Sequence, residues 1–363
     1  KFNLIYKMNF KKKIIVSFGT RPEIIKLAPL ISILKRKKYN FKLVYSGQHY
    51  SKNMSDIFLK KFKINNLNYD LKLGKKNTTK KFVNIFFVKF QKILKKEKPD
   101  FLIVQGDTNT CLVSALAANK LNELNELNTK IVHVEAGLRS YDANMPEEIN
   151  RIIVDHVSDY LFAPTLIQKK ILINEGINKK IKVVGNTIVD SLKKKKFKKI
   201  KKKFFLLTVH RYENVSNKRR LNKILNIMGT VANIFKMNVI FPCHPNTQSK
   251  IKKYKIKINS KIKIIDPIDY DKFLILLKNS KITFSDSGGL QEEACILKKH
   301  LITFRNNTER PETLKINSNF LSMLDEQKII KRINKIFNNK VYWNKNPYGN
   351  NVSNKILKFI RYN

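Results

Sequence analysis

The stretch from Lys12 to Leu34, KKIIVSFGTRPEIIKLAPLISIL, contains the pattern that decides the fold. The predicted strand from Lys12 to Ser17 (KKIIVS) has an unbroken apolar centre and is followed by Phe18-Gly19-Thr20, and apolar residues then recur at helical spacing from Ile24 to Leu34. Unbroken apolar runs are typical of strands that are covered on both faces. A strand that leads through a glycine turn into a helix predicts the first half of a parallel βαβ unit.

The same strand pattern recurs in both halves of the chain, with helix-length segments between the runs. These runs are Phe41 to Ser46, Phe101 to Gln105, Lys130 to Val134, Phe204 to Val209, Asn238 to Pro242, Ile262 to Ile265 and Lys281 to Ser285. Two series of this kind predict an α/β protein with two doubly wound domains.

The lysine block Lys193 to Lys203 (KKKKFKKIKKK) marks a solvated linker between the two series. A turn at Asn346-Pro347-Tyr348-Gly349 precedes a final helix pattern from Val352 to Arg361. We therefore expect one domain over residues 8–192, a second over 204–345, and a terminal segment over 346–363.

Composition excludes several classes of protein. The chain has 363 residues, and 42% of them are apolar, which is enough for two buried cores. The net charge of +47 comes from 63 Lys and only 11 Arg, and the Lys residues are spread along the whole chain. Because nucleic-acid sites favour Arg for its bidentate geometry, this distribution indicates a compositional bias, and no nucleic-acid partner is expected.

The remaining composition points to a cytoplasmic protein without a metal. No run reaches the roughly 18 apolar residues that a membrane helix needs, so no membrane partner is expected. Lys1 to Lys13 lacks a signal-peptide pattern, and Met8 is a candidate start. Cys111, Cys243 and Cys295 follow no redox or metal spacing and predict buried, reduced thiols. The six His residues form no ligand cluster, so no metal site is expected.

Charged residues stand at the predicted strand ends of the first half, where doubly wound sheets bind ligands. Arg21 and Lys26 follow the first strand at a helix start and form a candidate anion site, although a plain turn with exposed charges has the same pattern. Asp107 and Glu135 follow two further strands, and Glu147 follows Pro146 at a predicted helix start. Clustered carboxylates suit acid/base chemistry, while Glu147 and Glu148 also fit helix capping.

The second half offers a candidate nucleotide site. His210 and His244 each end a predicted strand. Ser287-Gly288-Gly289 joins another strand to a helix, so its N–H groups and the Ser287 hydroxyl can bind a diphosphate. Glu293 lies one turn into that helix, where a carboxylate can accept both ribose hydroxyls. No G-x-G-x-x-G follows a strand, so no nicotinamide cofactor is expected.

Taken in order, these motifs resemble those of the non-hydrolysing UDP-N-acetylglucosamine (UDP-GlcNAc) 2-epimerases. The shared motifs are G-T-R-P-E, G-D-T, H-V-E-A-G-L-R, M-P-E-E-I-N-R, G-N-T, H-R-x-E-N, D-S-G-G-x-Q-E-E and T-E-R-P-E. They extend from about Ile14 to the final helix. The resemblance implies a GT-B fold, in which two Rossmann-like domains enclose an active-site cleft and the last helix crosses back to the first domain. It also implies a homodimer with a role in cell-surface polysaccharide biosynthesis.

The resemblance assigns roles to individual residues. It implies catalytic roles for Asp107, Glu135, Glu147 and His210, with Arg21 and Lys26 at the same centre. It places UDP-sugar contacts at His244, Phe273, Ser287, Gly288, Gly289, Glu293 and Arg310. The expected reaction is inversion at C2 by elimination of UDP and its re-addition, without a cofactor. Near Asp266, Ile268 replaces a frequent Gln of the family.

Two departures leave alternatives open. Gln48-His49-Tyr50-Ser51 has Ser where members that are activated by a second substrate molecule have Gln, which argues against such activation. The stretch Ser140 to Met145 also resembles epimerases of UDP-2,3-diacetamido-glucuronic acid. A GT-B glycosyltransferase, a hydrolysing epimerase and, on charge alone, a nucleic-acid-binding protein are the remaining alternatives.

Overall fold

A computed structural model describes residues 11–48, 56–75, 78–193 and 195–362. The chain forms two compact units. Unit 1 contains the chain up to the linker together with residues 348–363, and unit 2 contains residues 195–347. The candidate start Met8, and His49 to Ser51 of the proposed activator segment, lie outside the described residues.

Unit 1 alternates strands with helices. Its strands are β1 (Ile14–Phe18), β2 (Phe41–Tyr45), β3 (Tyr69–Asp70), β4 (Phe101–Gln105), β5 (Lys130–Val134), β6 (Tyr160–Ala163) and β7 (Lys180–Val183). Its helices are α1 (Arg21–Arg36), α2 (Asp56–Lys61), α3 (Thr79–Glu97), α4 (Asn109–Glu123), α5 (Pro146–Val157), α6 (Leu166–Asn174) and α7 (Ile188–Leu192), with a 3-10 turn at Leu73–Lys75.

The sheet of unit 1 is parallel and has the order β3-β2-β1-β4-β5-β6-β7. Strands β1 and β4 are buried along their whole length, as expected for a sheet that is covered on both faces. Because β4 and β5 are neighbours with Gln105 opposite Val134, the residues after these two strands lie side by side.

Unit 2 repeats this architecture. Its strands are β8 (Phe204–Thr208), β9 (Asn238–Pro242), β10 (Ile262–Ile265), β11 (Thr283–Ser285), β12 (Leu301–Thr303) and β13 (Asn319–Leu321). Its helices are α8 (Tyr212–Val215), α9 (Lys218–Ile234), α10 (Pro245–Lys253), α11 (Tyr270–Asn279), α12 (Gly288–Ile296), α13 (Pro311–Lys315) and α14 (Glu326–Phe337). The parallel sheet has the order β10-β9-β8-β11-β12-β13.

The last helix, α15 (Val352–Tyr362), belongs to unit 1. It contacts α1 and α7 and buries an apolar face that includes Ile356, Leu357 and Ile360. The Asp190 carboxylate accepts hydrogen bonds from the first backbone N–H groups of α15, at 2.7 Å from Ser353. Residues that are distant in sequence therefore complete unit 1.

The predicted two doubly wound α/β domains are confirmed, because both sheets are parallel and share the order 3-2-1-4-5-6 over their first six strands. The strand bounds expected for β4, β5, β9 and β10 are those observed. The sequence analysis missed β3, β6, β7, β12 and β13, which have only two to four residues each. The three Cys thiols are free and buried, as predicted.

Candidate active site

Glu135 is the first residue after β5, and its carboxylate is held from two directions. Lys26 Nζ lies 2.6 Å from both carboxylate oxygens, and Gln105 Nε2 donates to Oε2 at 2.6 Å. The side chains of Lys26 and Glu135 are 8% and 4% exposed, so the ion pair is shielded from water. Glu135 also has a φ of +75°, a left-handed conformation that costs a residue with a Cβ free energy and is concentrated at functional sites.

Asp107 lies beside Glu135, two residues after β4. Its Oδ2 accepts hydrogen bonds from Arg151 Nε at 2.9 Å and Nη2 at 2.7 Å. The Arg151 side chain is 3% exposed, whereas the Asp107 side chain is 29% exposed. The preceding Gly106 has a φ of +76°, which a residue without a Cβ adopts readily. Asp107 thus keeps part of its carboxylate accessible while a buried cation supports it.

The two glutamates at the start of α5 have different surroundings. Glu147 is exposed, and no described residue donates a hydrogen bond to its carboxylate. Glu148 is buried and accepts hydrogen bonds from the N–H groups of Ser140 and Tyr141 and from Arg151. Glu148 therefore organises the loop between β5 and α5, while Glu147 extends from the helix start.

Arg21 and Lys26 have different surroundings, and the anion site that their spacing suggests stays a prediction. Arg21 is exposed, and its guanidinium lies 5.7 Å from the centroid of the Phe58 ring. Lys26 is buried against Glu135. The sequence could not predict this pair because the two residues are 109 positions apart.

Glu23, between these two cations, closes the turn after β1. Its carboxylate accepts hydrogen bonds from Gly19 N at 3.0 Å, from the N–H and hydroxyl of Thr20 at 2.8 Å, and from the Thr108 hydroxyl at 2.9 Å. Burial raises the pKa of Glu23 to about 7, although these hydrogen bonds act in the opposite direction. Glu23 therefore connects the α1 start to the segment that carries Asp107.

A second buried hydrogen-bond network contacts the segments that follow β4 and β5. His133 Nδ1 is 2.7 Å from Asp155 Oδ1, and Nε2 is 2.9 Å from the Gly106 carbonyl oxygen. Asp155 Oδ2 accepts hydrogen bonds from Gly137 N at 3.1 Å and from Arg139 at 2.8 Å. Burial alone would raise the pKa of Asp155, but His133 and Arg139 outweigh it and hold the pKa below its usual value.

In unit 2, His210 follows β8 and is supported by a buried carboxylate. The His210 side chain is 49% exposed, and its Nδ1 lies 3.0 Å from Oδ1 of the fully buried Asp286. Asp286 also accepts hydrogen bonds from the N–H groups of His210 and Arg211 and from the Asn214 side chain. Burial would raise the pKa of Asp286, but these partners, His210 first, lower it below its usual value. Asp286 thus fixes the orientation of the exposed imidazole.

Ser287 and Gly288 form the start of α12, as the sequence predicts. The Ser287 side chain makes no capping hydrogen bond to the helix. A Cβ on Gly288 would lie 2.5 Å from Glu309 Oε1, so a larger residue would displace that carboxylate. Gly289 is exposed, with open space where a Cβ would be. The Ser287 N–H donates to Ser285 Oγ at 3.0 Å and Gly288 is buried, so Gly289 is the exposed residue of this helix start.

Arginines surround this helix start. Arg310 is 6% exposed and pairs with Glu292 at 2.6 Å and with Glu309 at 2.7 Å. Arg305 contacts Glu309 at 2.7 Å, and Arg211 approaches it at 3.8 Å. Three guanidinium groups therefore converge on Glu309, while Arg310 also pairs with Glu292, so the arginines beside the helix start are held by buried carboxylates.

The remaining predicted contacts lie on neighbouring elements of unit 2. Glu293 accepts a hydrogen bond from the Tyr270 hydroxyl at 2.5 Å. Phe273 is half-buried on α11. His244 is exposed at the start of α10, where its Nδ1 accepts a hydrogen bond from Asn246 N at 3.2 Å. Whether any of these residues contacts a ligand stays a prediction.

Several residues of these networks were missed by the sequence analysis, although most lie inside the quoted motifs. They are Glu23, Gln105, His133, Arg151, Asp155, Arg211, Asp286 and Glu309. Within the described residues, no cluster of three or more His, Cys, Asp or Glu side chains could hold a metal ion. No helix in that part of the chain is both long and apolar enough to cross a membrane.

Comparison with known proteins agrees with this geometry. A family model described as UDP-N-acetylglucosamine 2-epimerase matches residues 32–361. The chain belongs to the UDP-N-acetylglucosamine 2-epimerase family. The enzyme class and the family resemblance expected from the motifs are confirmed.

Members of this family match nearly the whole chain. The UDP-N-acetylglucosamine 2-epimerase of Methanocaldococcus jannaschii is 45% identical, and the match covers 96% of this chain and 99% of the relative. The crystal structure of the M. jannaschii enzyme in complex with UDP-GlcNAc and UDP has a TM-score of 0.84 at 44% identity, covering 97% of this chain and 99% of that one. The predicted GT-B fold of two Rossmann-like domains is confirmed.

The epimerase family also includes a relative with another substrate in its name. The UDP-2,3-diacetamido-2,3-dideoxy-D-glucuronate 2-epimerase of Pseudomonas aeruginosa is 36% identical, and the match covers 85% of this chain and 88% of the relative. The alternative substrate that the sequence suggests, UDP-2,3-diacetamido-glucuronic acid, is therefore the substrate in the name of a similar protein.

Proposed function

We propose that the protein interconverts UDP-N-acetylglucosamine and UDP-N-acetylmannosamine by inverting C2 of the sugar. The observation that carries the proposal is the pair of carboxylates, Asp107 and Glu135, which follow adjacent strands and are each supported by a buried cation. Family membership and the 45% identity with a relative of that name support the same substrate.

The chemistry requires that the leaving group be expelled. The C2 proton has no neighbouring carbonyl to acidify it, so its removal is coupled to loss of UDP from C1. A base takes the C2 proton, the C–H electrons form the C1–C2 double bond, and the C1–O electrons leave with UDP. The product is a 2-acetamidoglucal. A proton then adds to C2 on the opposite face, and a phosphate oxygen of UDP re-forms the bond to C1. No electrons are gained or lost, so the reaction needs no redox cofactor.

Unit 1 supplies the proton-transfer groups in this proposal. Asp107, Glu135 and Glu147 provide the base and the acid that returns the proton, since two faces of C2 require two groups. Lys26 fixes the Glu135 carboxylate in one orientation. The exposed Arg21 stabilises negative charge on the leaving diphosphate.

Unit 2 binds the nucleotide in this proposal. The Ser287 hydroxyl and the N–H groups of Gly288 and Gly289 receive the diphosphate, and the half-exposed His210 stabilises its charge as the C1–O bond breaks. Glu293 accepts the ribose hydroxyls. Arg310 adds positive charge, and Phe273 and His244 line the same UDP-sugar site.

Incubation of UDP-GlcNAc with the protein in D₂O, without added cofactor and followed by NMR, tests the reaction. Because elimination removes the C2 proton, we expect deuterium at C2 of UDP-N-acetylmannosamine and at C2 of recovered UDP-GlcNAc. Product that retains full protium at C2 would disprove the elimination mechanism. Accumulation of free N-acetylmannosamine and UDP would indicate a hydrolysing enzyme, and an unlabelled, unchanged nucleotide sugar would contradict the proposal.

The second candidate substrate is UDP-2,3-diacetamido-2,3-dideoxy-glucuronic acid. The P. aeruginosa relative at 36% identity and the stretch from Ser140 to Met145 favour it. The same experiment with this nucleotide separates the candidates: exchange with it alone keeps the mechanism and changes the substrate. The homodimer, the cytoplasmic location, the absence of a nucleic-acid partner and a role in polysaccharide synthesis stay predictions, of which sedimentation tests the first.

A further inference from the structure

Both ring nitrogens of His133 face hydrogen-bond acceptors. Nδ1 lies 2.7 Å from a carboxylate oxygen of Asp155, and Nε2 lies 2.9 Å from the carbonyl oxygen of Gly106. The ring and the carboxylate are buried, with side-chain exposures of 1% and 0%. A neutral imidazole has one donor and one acceptor nitrogen, so the two contacts constrain its protonation state.

These contacts require a proton on each ring nitrogen. A carbonyl oxygen only accepts, so Nε2 must donate to Gly106. The second oxygen of Asp155 accepts hydrogen bonds from Gly137 N and from the Arg139 guanidinium, which is the environment of an ionised carboxylate. Nδ1 must then donate to Asp155 as well. The lowered pKa of Asp155 agrees with this arrangement.

The same contacts join the two segments that carry the candidate acid/base groups. Gly106 immediately precedes Asp107, and its left-handed backbone orients the carbonyl towards His133. His133 lies on β5, two residues before Glu135. Asp155 lies on α5 and accepts a hydrogen bond from the N–H of Gly137, which is two residues after Glu135. The His133–Asp155 pair therefore holds the main chain just before Asp107 and just after Glu135.

We propose that both ring nitrogens of the buried His133 carry a proton, and that His133, with Asp155, positions the segments of Asp107 and Glu135 and places a positive charge behind them. Neither residue is argued to touch substrate, so both are positioning residues. The kinetic part rests on the proposed function, because it assumes that Asp107 and Glu135 transfer the proton. The protonation state does not depend on that assumption.

Other charged and titratable groups surround His133 and Asp155 and also contribute to the pH dependence of the reaction. Arg139 pairs with Asp155 and with Glu175, the residue that follows α6. Helix α1 contributes Lys26 and Glu23, helix α4 contributes the buried Cys111 thiol, and helix α5 contributes Glu148 and Arg151. Among these, the imidazolium is the cation placed at the Gly106 carbonyl itself.

NMR of protein labelled with ¹⁵N-histidine tests the protonation state without any turnover. The chain has six His residues, and loss of one signal in His133→Gln identifies that of His133. We expect both ring nitrogens of His133 in the folded protein to be protonated, with slowly exchanging protons, because each nitrogen faces a hydrogen-bond acceptor. A neutral His133 ring in the folded protein would overturn the proposal.

Kinetics test the positioning role. In His133→Gln we expect kcat to fall by about 10²-fold, because a small misplacement of acid/base groups is costly, while KM and calorimetric UDP affinity change less than about twofold. The acidic limb of the kcat profile should move to higher pH, since loss of a nearby positive charge raises carboxylate pKa values. His156→Gln, on an exposed histidine one position after Asp155, is the matched control and should keep parent kinetics.

A double variant separates charge from shape. In His133→Gln/Asp155→Asn the two amides can hydrogen bond to each other, and the glutamine can still donate to Gly106. We expect this variant to recover thermal stability relative to His133→Gln and to return the acidic limb towards the parent pH, because one positive and one negative charge are removed together. Parent turnover in His133→Gln, or an acidic limb in the double variant shifted as far as in His133→Gln, would overturn the positioning role. A parent protein that fails to exchange C2 protons would contradict the proposed function, while the NMR result would still decide the imidazolium.

Discussion

The two units bury opposite members of the acid–base pairs at the carboxyl ends of their sheets. In unit 1 the partly exposed group is a carboxylate, Asp107, and the buried partner is a cation, Arg151. In unit 2 the exposed group is His210, and the buried partner is the carboxylate of Asp286. Arg211, 22% exposed over the buried Glu309, repeats the arrangement of unit 2. One architecture thus exposes a carboxylate in one unit and basic side chains in the other, and the proposed function uses the first for proton transfer and the second for the diphosphate.

The largest expected effect comes from breaking the buried pair of unit 1. Lys26→Met leaves the Glu135 carboxylate buried without its cation, which costs about 3 to 5 kcal/mol of stability. Urea unfolding measures this loss, and turnover should fall with it. In Lys26→Met/Glu135→Leu, with both charges removed, stability should return near the parent value while turnover does not. Parent stability in the single variant would contradict the buried pair.

The next effect concerns the exposed histidine of unit 2. His210→Ala removes a group that is needed mainly as the diphosphate leaves, so we expect kcat to fall by roughly 10²- to 10³-fold, or about 2 to 4 kcal/mol. Because Asp286 keeps the backbone N–H groups of residues 210 and 211 and the Asn214 side chain as donors, the unfolding free energy should fall by less than in Lys26→Met. Arg21→Ala, the exposed cation of unit 1, is expected to behave similarly. A folded variant of either residue with parent turnover would remove that residue from the reaction.

The next prediction concerns the pKa of Glu23, a buried carboxyl group of unit 1. Burial raises its pKa from 4.5 to about 7, so the folded protein retains a proton that the unfolded chain releases. The stability contributed by this proton is complete below about pH 4.5 and is lost as the pH rises to about 7, by about 3 kcal/mol. Urea unfolding at pH 4.5 and pH 8 should show this loss in the parent and not in Glu23→Gln. An equal pH dependence in both would contradict the shift.

The smallest effect separates nucleotide binding from chemistry. Glu293→Ala should weaken UDP binding by about 1.5 to 3 kcal/mol even without the sugar, because its proposed partner is the ribose. Calorimetry with UDP alone measures this, and Glu147→Ala, in unit 1, is the matched carboxylate control that should leave UDP affinity unchanged. Unchanged affinity in Glu293→Ala would remove Glu293 from the nucleotide site.

The sequence predicted the parts of the fold that depend on local patterns. Long apolar strands such as β4 and β5, and the helix start at Pro146, were readable because burial and capping leave a clear pattern. Strand β7, Lys180–Val183, was missed because it is short and alternates lysine with apolar residues. The fold class followed from the recurring pattern and did not need every strand.

Within the candidate site, the residue types were predictable but their partners were not. Lys26 and Glu135 stand in separate motifs, and no local pattern shows that they pair. Glu147 and Glu148 are adjacent on a helix, so they point in directions about 100° apart, and the sequence cannot tell which is buried. His133 resembles an ordinary strand residue, because its role depends on Asp155, 22 positions later.

The placement of helix α15 has a consequence for biosynthesis. Every residue of unit 2 leaves the ribosome before the segment from Tyr348 onward that completes unit 1. Until then unit 1 lacks the apolar face of α15 and the Phe359 ring, which packs edge-on against Tyr160 and Phe162. We therefore expect the later-made unit to reach its native state first, and the earlier-made unit to remain exposed to chaperones and proteases until translation ends.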